Sequence, residues 1–173
     1  VKKFCEAFTD KYFNPDRSKN EKKSLQQGES DRKSIVFSGS TGVGKTYLSN
    51  CIAKVLLDRY YSVIYLSAKE LFETLVKVNI EKSEEQKYLL LAKEVYECDM
   101  LIIDDLGSEL FNHFTTSEFF HIINRRINNE KSTVISTNLS LDEMRDIYSE
   151  RVTSRIRKSF IYIRLFGNDI RAR

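Results

Sequence analysis

The octet GSTGVGKT, Gly39 to Thr46, follows the apolar run SIVFS and precedes YLSNCIAKVLLDRY. Its order, Gly39, Ser40, Thr41, Gly42, Val43, Gly44, Lys45 and Thr46, satisfies the phosphate-loop pattern G-x-x-x-x-G-K-[ST] and adds a third glycine. Each part has a physical reason. Glycines let backbone N–H groups curl around a phosphate, and the helix that follows aims its positive end at the same point. Lys45 supplies a mobile cation for the outer phosphates, and the Thr46 hydroxyl can ligate Mg²⁺. A tight strand-to-helix turn alone explains the glycines but not the Lys-Thr pair. The octet therefore asks for a strand, a loop and a helix in succession, hence for a sheet in which that strand is anchored.

The rest of the chain supplies such a sheet. Short apolar runs at Ile35–Ser38, Val63–Ser67, Met100–Asp104, Thr133–Thr137 and Phe160–Leu165 are rich in β-branched and aromatic residues. They run apolar without alternation, as strands buried on both faces do. Between them helical patterns span Lys45–Tyr60, Ala68–Val78, Glu84–Tyr96, Thr115–Asn129, Leu141–Tyr148 and Ser149–Lys158. Thr116 before SEFF and Ser140 three residues before Glu143 read as helix starts. Alternating strands and helices predict an α/β fold with a mainly parallel five-stranded sheet between helices.

At 173 residues the chain has material for one well-buried core and not for two. Phe4, Phe8 and Tyr12 recur every fourth residue, suiting a short amphipathic helix, and Asn14–Lys33 is almost free of apolar side chains and holds the only proline. The expected organisation is thus 1–33 as helix and flexible linker and 34–173 as one nucleotide-binding domain. A first residue of Val rather than Met suits a segment of a longer chain. No apolar run approaches the roughly 20 residues that a bilayer requires, so a cytoplasmic location without a membrane partner is expected. Three widely spaced cysteines, Cys5, Cys51 and Cys98, support neither a disulfide framework nor a zinc site, and Cys51 and Cys98 read as small buried apolar residues. A net charge of +3 tolerates an anionic partner without requiring one.

Further candidates lie at strand ends. MLIIDDLG places Asp104 and Asp105 in succession at the end of an apolar strand, where two adjacent carboxylates repel unless a cation or water relieves them. Asp104 is the candidate for the magnesium shell and Asp105 for polarising an attacking water. VISTNLS places Asn138 where an amide could touch the γ-phosphate, although asparagine after a strand also serves turns. In ERVTSRIRKSF, Arg151 and Arg155 are four apart and share a helix face, either a solvated basic face or a pair reaching the phosphate of a neighbouring subunit.

In this order, GSTGVGKT, MLIIDDLG, ISTN, ERVTSRI and the terminal GNDIR resemble the AAA+ ATPase domain of bacterial helicase loaders of the DnaC/DnaI type, which is related to the IstB transposition helpers. The resemblance runs from about Ile35 to Arg171. It implies a P-loop AAA+ fold, with Gly39–Thr46 as Walker A, Asp104 and Asp105 as Walker B and Asn138 as sensor 1. It also implies Arg155 as an arginine finger acting in trans, with Arg151 beside it and Arg171 as candidate sensor 2. Tyr47 stands where these loaders often carry His, on the ribose side. Only FGNDIRAR follows the last strand, so a helical lid that is reduced or absent compared with larger relatives is expected.

The resemblance further implies ATP and Mg²⁺ as cofactors, slow ATP hydrolysis, and a replicative helicase, single-stranded DNA and other copies of the chain as partners. Its DNA-contacting region would fall on Lys69, Phe72, Lys77 and Lys82, although Phe72 at helical spacing with Leu71 and Leu75 reads as core. Two other functions fit the same cradle: an IstB-like, ATP-dependent transposition helper, and a P-loop kinase of small molecules. The kinase would need a lid bearing arginines, which ISTN followed by Arg151 and Arg155 fits poorly.

Overall fold

In the computed structural model, which describes residues 2–13 and 33–169, five strands pair in parallel in the order β2-β3-β4-β1-β5. They are β1 (Ser34–Ser38), β2 (Val63–Ser67), β3 (Met100–Leu106), β4 (Ser132–Thr137) and β5 (Phe160–Arg164). The helices are α1 (Lys2–Phe13), α2 (Lys45–Leu57), α3 (Ala68–Asn79), α4 (Gln86–Glu97), α5 (His113–Asn128), α6 (Leu141–Tyr148) and α7 (Glu150–Ser159). All five predicted strands and all the predicted helices are present, with ends moved by a few residues. The predicted linker, apart from Lys33, and Arg171 lie outside the described residues.

The continuous apolar runs have the cause assigned to them. Side chains alternate between the two faces of a strand, and here each face meets helices. Ile35 and Phe37 of β1 join Met100, Ile102 and Val134 in a core with Ile52 and Leu56 of α2 and Cys5, Phe8 and Phe13 of α1. Val36, Leu101, Ile103 and Ile135 face the other way, into a larger core with residues of α3 to α7. Burial of this kind stabilises by about 25 cal/mol per Å² of apolar surface, and both faces of the sheet contribute to it.

Local chemistry explains where the ends moved. Helix α2 stops at Leu57 rather than Tyr60, because Tyr60 takes a left-handed backbone (φ 64°) and the Tyr61 N–H turns back to Leu56 O at 3.1 Å. That reversal lets the Tyr61 hydroxyl donate to Phe13 O at 2.5 Å and its ring meet Phe13 edge-on. Helix α5 begins two residues early, and its cap is Asn112 rather than Thr116. Asn112 Oδ1 accepts from the Thr115 N–H at 2.9 Å, and Thr115 Oγ1 accepts from the Asn112 N–H at 3.0 Å. The Ser140–Glu143 capping box is formed as the spacing predicts, and a second one, Ser67–Glu70, opens α3.

One buried charge ties the lower edge of the sheet together. Arg126 of α5 is fully enclosed and donates to Val95 O, Cys98 O, Ser132 O and Thr133 Oγ1. It thereby fixes the end of α4 and the starts of β3 and β4 to α5, satisfying carbonyls that burial would otherwise leave unpaired.

Candidate functional site

Because every strand is parallel, the carboxyl ends of β1, β4 and β3 lie in one row on one edge of the sheet, the edge at which open α/β sheets bind ligands. The loop 39–44 follows β1, Asn138 follows β4, and Asp104 and Asp105 lie near the end of β3. Sequence-distant residues are therefore brought together by topology alone.

The loop's shape depends on its glycines. Gly39 (φ 155°) passes so close to the chain after β5 that a Cβ there would meet Leu165 O at 2.4 Å. Gly42 (φ 78°) lies under the Asp169 carboxylate, where a Cβ would come within 2.1 Å. Gly44 caps α2 in the left-handed region with no side chain closing the helix end, so the first N–H groups of α2 stay available to an anion.

Lys45 opens α2 and is buried, with Nζ donating to Gly39 O at 2.8 Å, Ser40 O at 2.8 Å and Asn138 Oδ1 at 2.6 Å. The lysine thus spans the loop and the β4 end. Thr46 Oγ1 donates to Asp104 Oδ1 at 3.2 Å, joining the other side of the loop to β3. Ser40, Thr41, Thr46 and Tyr47 are exposed along the cradle, and Val43 is half-buried.

Asp104 and Asp105 sit at an irregularity that the sequence did not show. The pairing of β3 with β4 slips between Ile103 and Leu106, and Asp105 takes a left-handed backbone (φ 55°). A bulge of this kind re-aims side chains next to functional sites. Here it separates two adjacent carboxylates: Asp104 is half-buried and bonded, whereas Asp105 is exposed. Three hydroxyls converge on Asp104, from Thr46, from Ser136, and from Tyr65, whose OH donates to Oδ2 at 2.8 Å. Ser136 Oγ also accepts from the Asp105 N–H at 3.0 Å, so one hydroxyl holds both acidic positions. Burial, reinforced by the Asp104 carboxylate, pushes the Tyr65 phenol well above its ordinary pKa, which keeps it protonated as a donor. Tyr65 and Ser136 were missed by sequence reasoning. The signal for Ser136 was its place two residues before Asn138, near the carboxyl end of the strand that delivers that amide.

The remaining candidates lie elsewhere. Arg151 is exposed and Arg155 half-buried on α7, where they line an open groove of about 500 Å³ with Phe120, Glu150 and Ser154. Phe72 is core, 3% exposed and edge-on to Phe119. At the α3–α4 turn Lys77 Nζ donates to Tyr88 OH at 2.6 Å, and the Lys77 and Lys87 ammonium groups both lie over the Tyr88 ring.

The donors suit a magnesium nucleotide: hard oxygens from Thr46 and Asp104 would hold the metal beside a glycine cradle carrying a lysine.

Comparison with known proteins agrees with this geometry. A family model described as IstB-like ATP binding protein matches residues 8–156. The replicative helicase loader DnaC of Escherichia coli (strain K12) is 30% identical over 126 residues, which are 72% of this chain and 50% of that protein. This chain therefore spans about half the length of that curated relative. A crystal structure of the DnaC helicase loader superposes with a TM-score of 0.66 at 28% identity, covering 79% of this chain and 80% of that one. The replication initiator DnaA bound to AMPPCP and single-stranded DNA gives 0.66 at 25% identity, covering 87% and 44%. A family match over most of the chain and a shared P-loop fold make one conclusion: the chain belongs to the IstB-like ATP binding proteins and carries an α/β domain of the AAA+ type.

Proposed function

We propose that the chain is a Mg²⁺-dependent ATPase that works as an assembly switch in DNA replication, loading a replicative helicase in the cytoplasm. The observation that carries the reading is the convergence of Lys45, Thr46, Asp104 and Asn138 at one sheet edge. The identity to a helicase loader supports the choice of partner.

Residue roles follow from the site's chemistry. The loop N–H groups and Lys45 bind the phosphates of ATP, while Thr46 and Asp104 hold Mg²⁺, which would neutralise charge on the β- and γ-phosphates. Tyr65 and Ser136 fix the Asp104 carboxylate in the orientation for that task. Asp105, exposed and aimed apart from Asp104 by the bulge, orients the attacking water. Asn138 donates its amide N–H₂ to the γ-phosphate or to that water, since its oxygen already accepts from Lys45. Tyr47 lies beside the ribose, and Arg171 remains the sensor 2 candidate.

Arg155 acts on a neighbouring copy. Self-assembly then exists only with triphosphate bound, and hydrolysis weakens it, which makes ATP a ligand for the oligomer. Single-stranded DNA is the further partner, consistent with a similar initiator bound to it. The Lys77–Tyr88–Lys87 cluster offers cations and an aromatic ring of the kind that backbone phosphates and bases engage.

A second reading, an IstB-like transposition helper, is favoured by the family match itself. A pull-down against a replicative helicase and against a transposase, each with and without ATP, separates the two. Phosphate release without any acceptor, stimulated by single-stranded DNA, supports either over a kinase. Capture of neither partner, with or without ATP, together with no ATP turnover, would reject both.

A further inference from the structure

Behind Asp105 the chain enters a short loop, 107–112, that carries a buried carboxylate. Glu109 is 6% exposed, and Tyr148, at the end of α6, is fully enclosed. Glu109 Oε2 accepts from the Gly107 N–H at 2.9 Å, and Oε1 accepts from the Tyr148 hydroxyl. The Ser108 N–H donates to Asp105 O at 3.2 Å, so the loop is bonded directly to the acidic position. On the far side, Ser149 (φ 88°) is the single residue between α6 and α7, and Arg151 follows two residues later. The Tyr148 ring packs against Phe119 and Phe111, at centroid distances of 4.8 and 5.8 Å, which fixes its hydroxyl in place.

A buried carboxylate is a costly way to fill space, and apolar replacement of both partners of a buried bond can be nearly neutral. One oxygen of Glu109 instead closes its own loop behind the candidate water-orienting Asp105, and the other reaches the pivot of the helix that carries both arginines. We propose that Glu109 and Tyr148 are positioning residues that join the loop behind Asp105 to the start of α7, so that a shift at Asp105 moves Arg151 and Arg155. The link deepens the switch reading above and rests on it for the cause of the shift, although the coupling itself needs no nucleotide.

The test is hydrogen exchange on the full chain, kept monomeric by dilution and verified by ultracentrifugation, with Tyr148→Phe and Glu109→Met as variants. Phe keeps the ring and removes the bond; Met keeps the length of the side chain and removes both carboxylate oxygens. Without nucleotide, Tyr148→Phe is expected to speed exchange in 107–112, and Glu109→Met to speed it in 149–153. With Mg²⁺ and AMPPCP, 39–47 should respond in all proteins, whereas the response at 149–156 should fall by about fivefold or more in both variants. Undisturbed exchange across the link in both variants, or an undiminished nucleotide response at 149–156, would overturn the coupling. No response at 39–47, with the nucleotide-free coupling intact, would instead overturn the ATP reading and leave the link standing.

Discussion

Lys45 Nζ lies 2.6 Å from Asn138 Oδ1, so the cation of the phosphate loop is bonded to the end of the adjacent strand β4. A residue read from the most specific motif and one whose motif was ambiguous thus form one unit. The contact turns asparagine from a plausible turn former into a group held at the cradle, with its N–H₂ left to donate.

The two should fail differently. Lys45→Ala removes charge-assisted bonds to phosphate oxygens, worth about 1.5–3 kcal/mol each, so ATP affinity should fall by about 100-fold or more. Asn138→Ala leaves Lys45 its two loop carbonyls, so affinity should stay within about threefold while turnover drops by about tenfold or more. Titration calorimetry and single-turnover phosphate release measure the two quantities. Equal loss of affinity in both variants would contradict separate roles.

Ser136 makes a sharper case. Its hydroxyl donates to Asp104 and accepts from the Asp105 N–H, so Ser136→Ala releases both acidic positions at once without touching the loop. The expected result is a raised Mg²⁺ requirement, by about tenfold, with nucleotide affinity in the absence of metal unchanged. Turnover measured against Mg²⁺ concentration checks it, and an unaltered midpoint would mean that Asp104 is held adequately by Tyr65 and Thr46.

Sheet and cradle were legible because each rests on a local regularity: apolar runs of strand length for the sheet, and glycines at fixed spacing followed by Lys-Thr for the cradle. The partners of Asp104 were not legible. Tyr65 and Ser136 reach it because β2 and β4 flank β3 in register, and register is a long-range outcome that composition does not carry. The bulge at Asp104 and Asp105 was hidden for the same reason, since it exists only relative to β4. Thr116 was read as the start of α5, whereas the cap is Asn112, which only its reciprocal bonds with Thr115 identify. Arg126 gave no signal of its burial, because the carbonyls that enclose it come from three other parts of the chain.

Arg126 should therefore matter for stability and not for nucleotide. Replacing it with Met keeps much of the apolar stem but leaves Val95 O, Cys98 O and Ser132 O without their donor. A loss of about 3–5 kcal/mol is expected, read as a lower urea midpoint, with ATP affinity of the folded protein unchanged. A stability change below about 1 kcal/mol would show that other donors replace the guanidinium.

Thiol chemistry tests the packing of α1. Burial, with the Cys51 thiol beside it, pushes Cys5 up to about 11, and burial also raises Cys98. Cys51 is half-buried rather than buried as the sequence reading had it. At pH 8 iodoacetamide should therefore label Cys51 first and spare Cys5 and Cys98 until the protein unfolds, because the thiolate is the reacting species. Labelling of Cys5 as fast as Cys51 would mean that α1 leaves the sheet readily.

Arg155 provides the test of assembly. It is half-buried in the groove beside Phe120 and Glu150, a surface formed by α5 and α7 rather than by the phosphate loop. If it serves a neighbour's site, Arg155→Ala should bind ATP within about twofold of the parent yet show no rise of specific turnover with protein concentration. Asp105→Asn should also bind and fail to turn over, for the opposite reason, since its own site lacks the group that orients water. Mixing the two inactive proteins then creates interfaces in which an intact Asp105 faces an intact Arg155. In an equimolar random mixture these are about one quarter of all interfaces, so turnover should recover to about a quarter of the parent rate. Recovery requires that the two residues act on one phosphate from different subunits; a mixture as inactive as its components would reject action of Arg155 on a neighbour's phosphate.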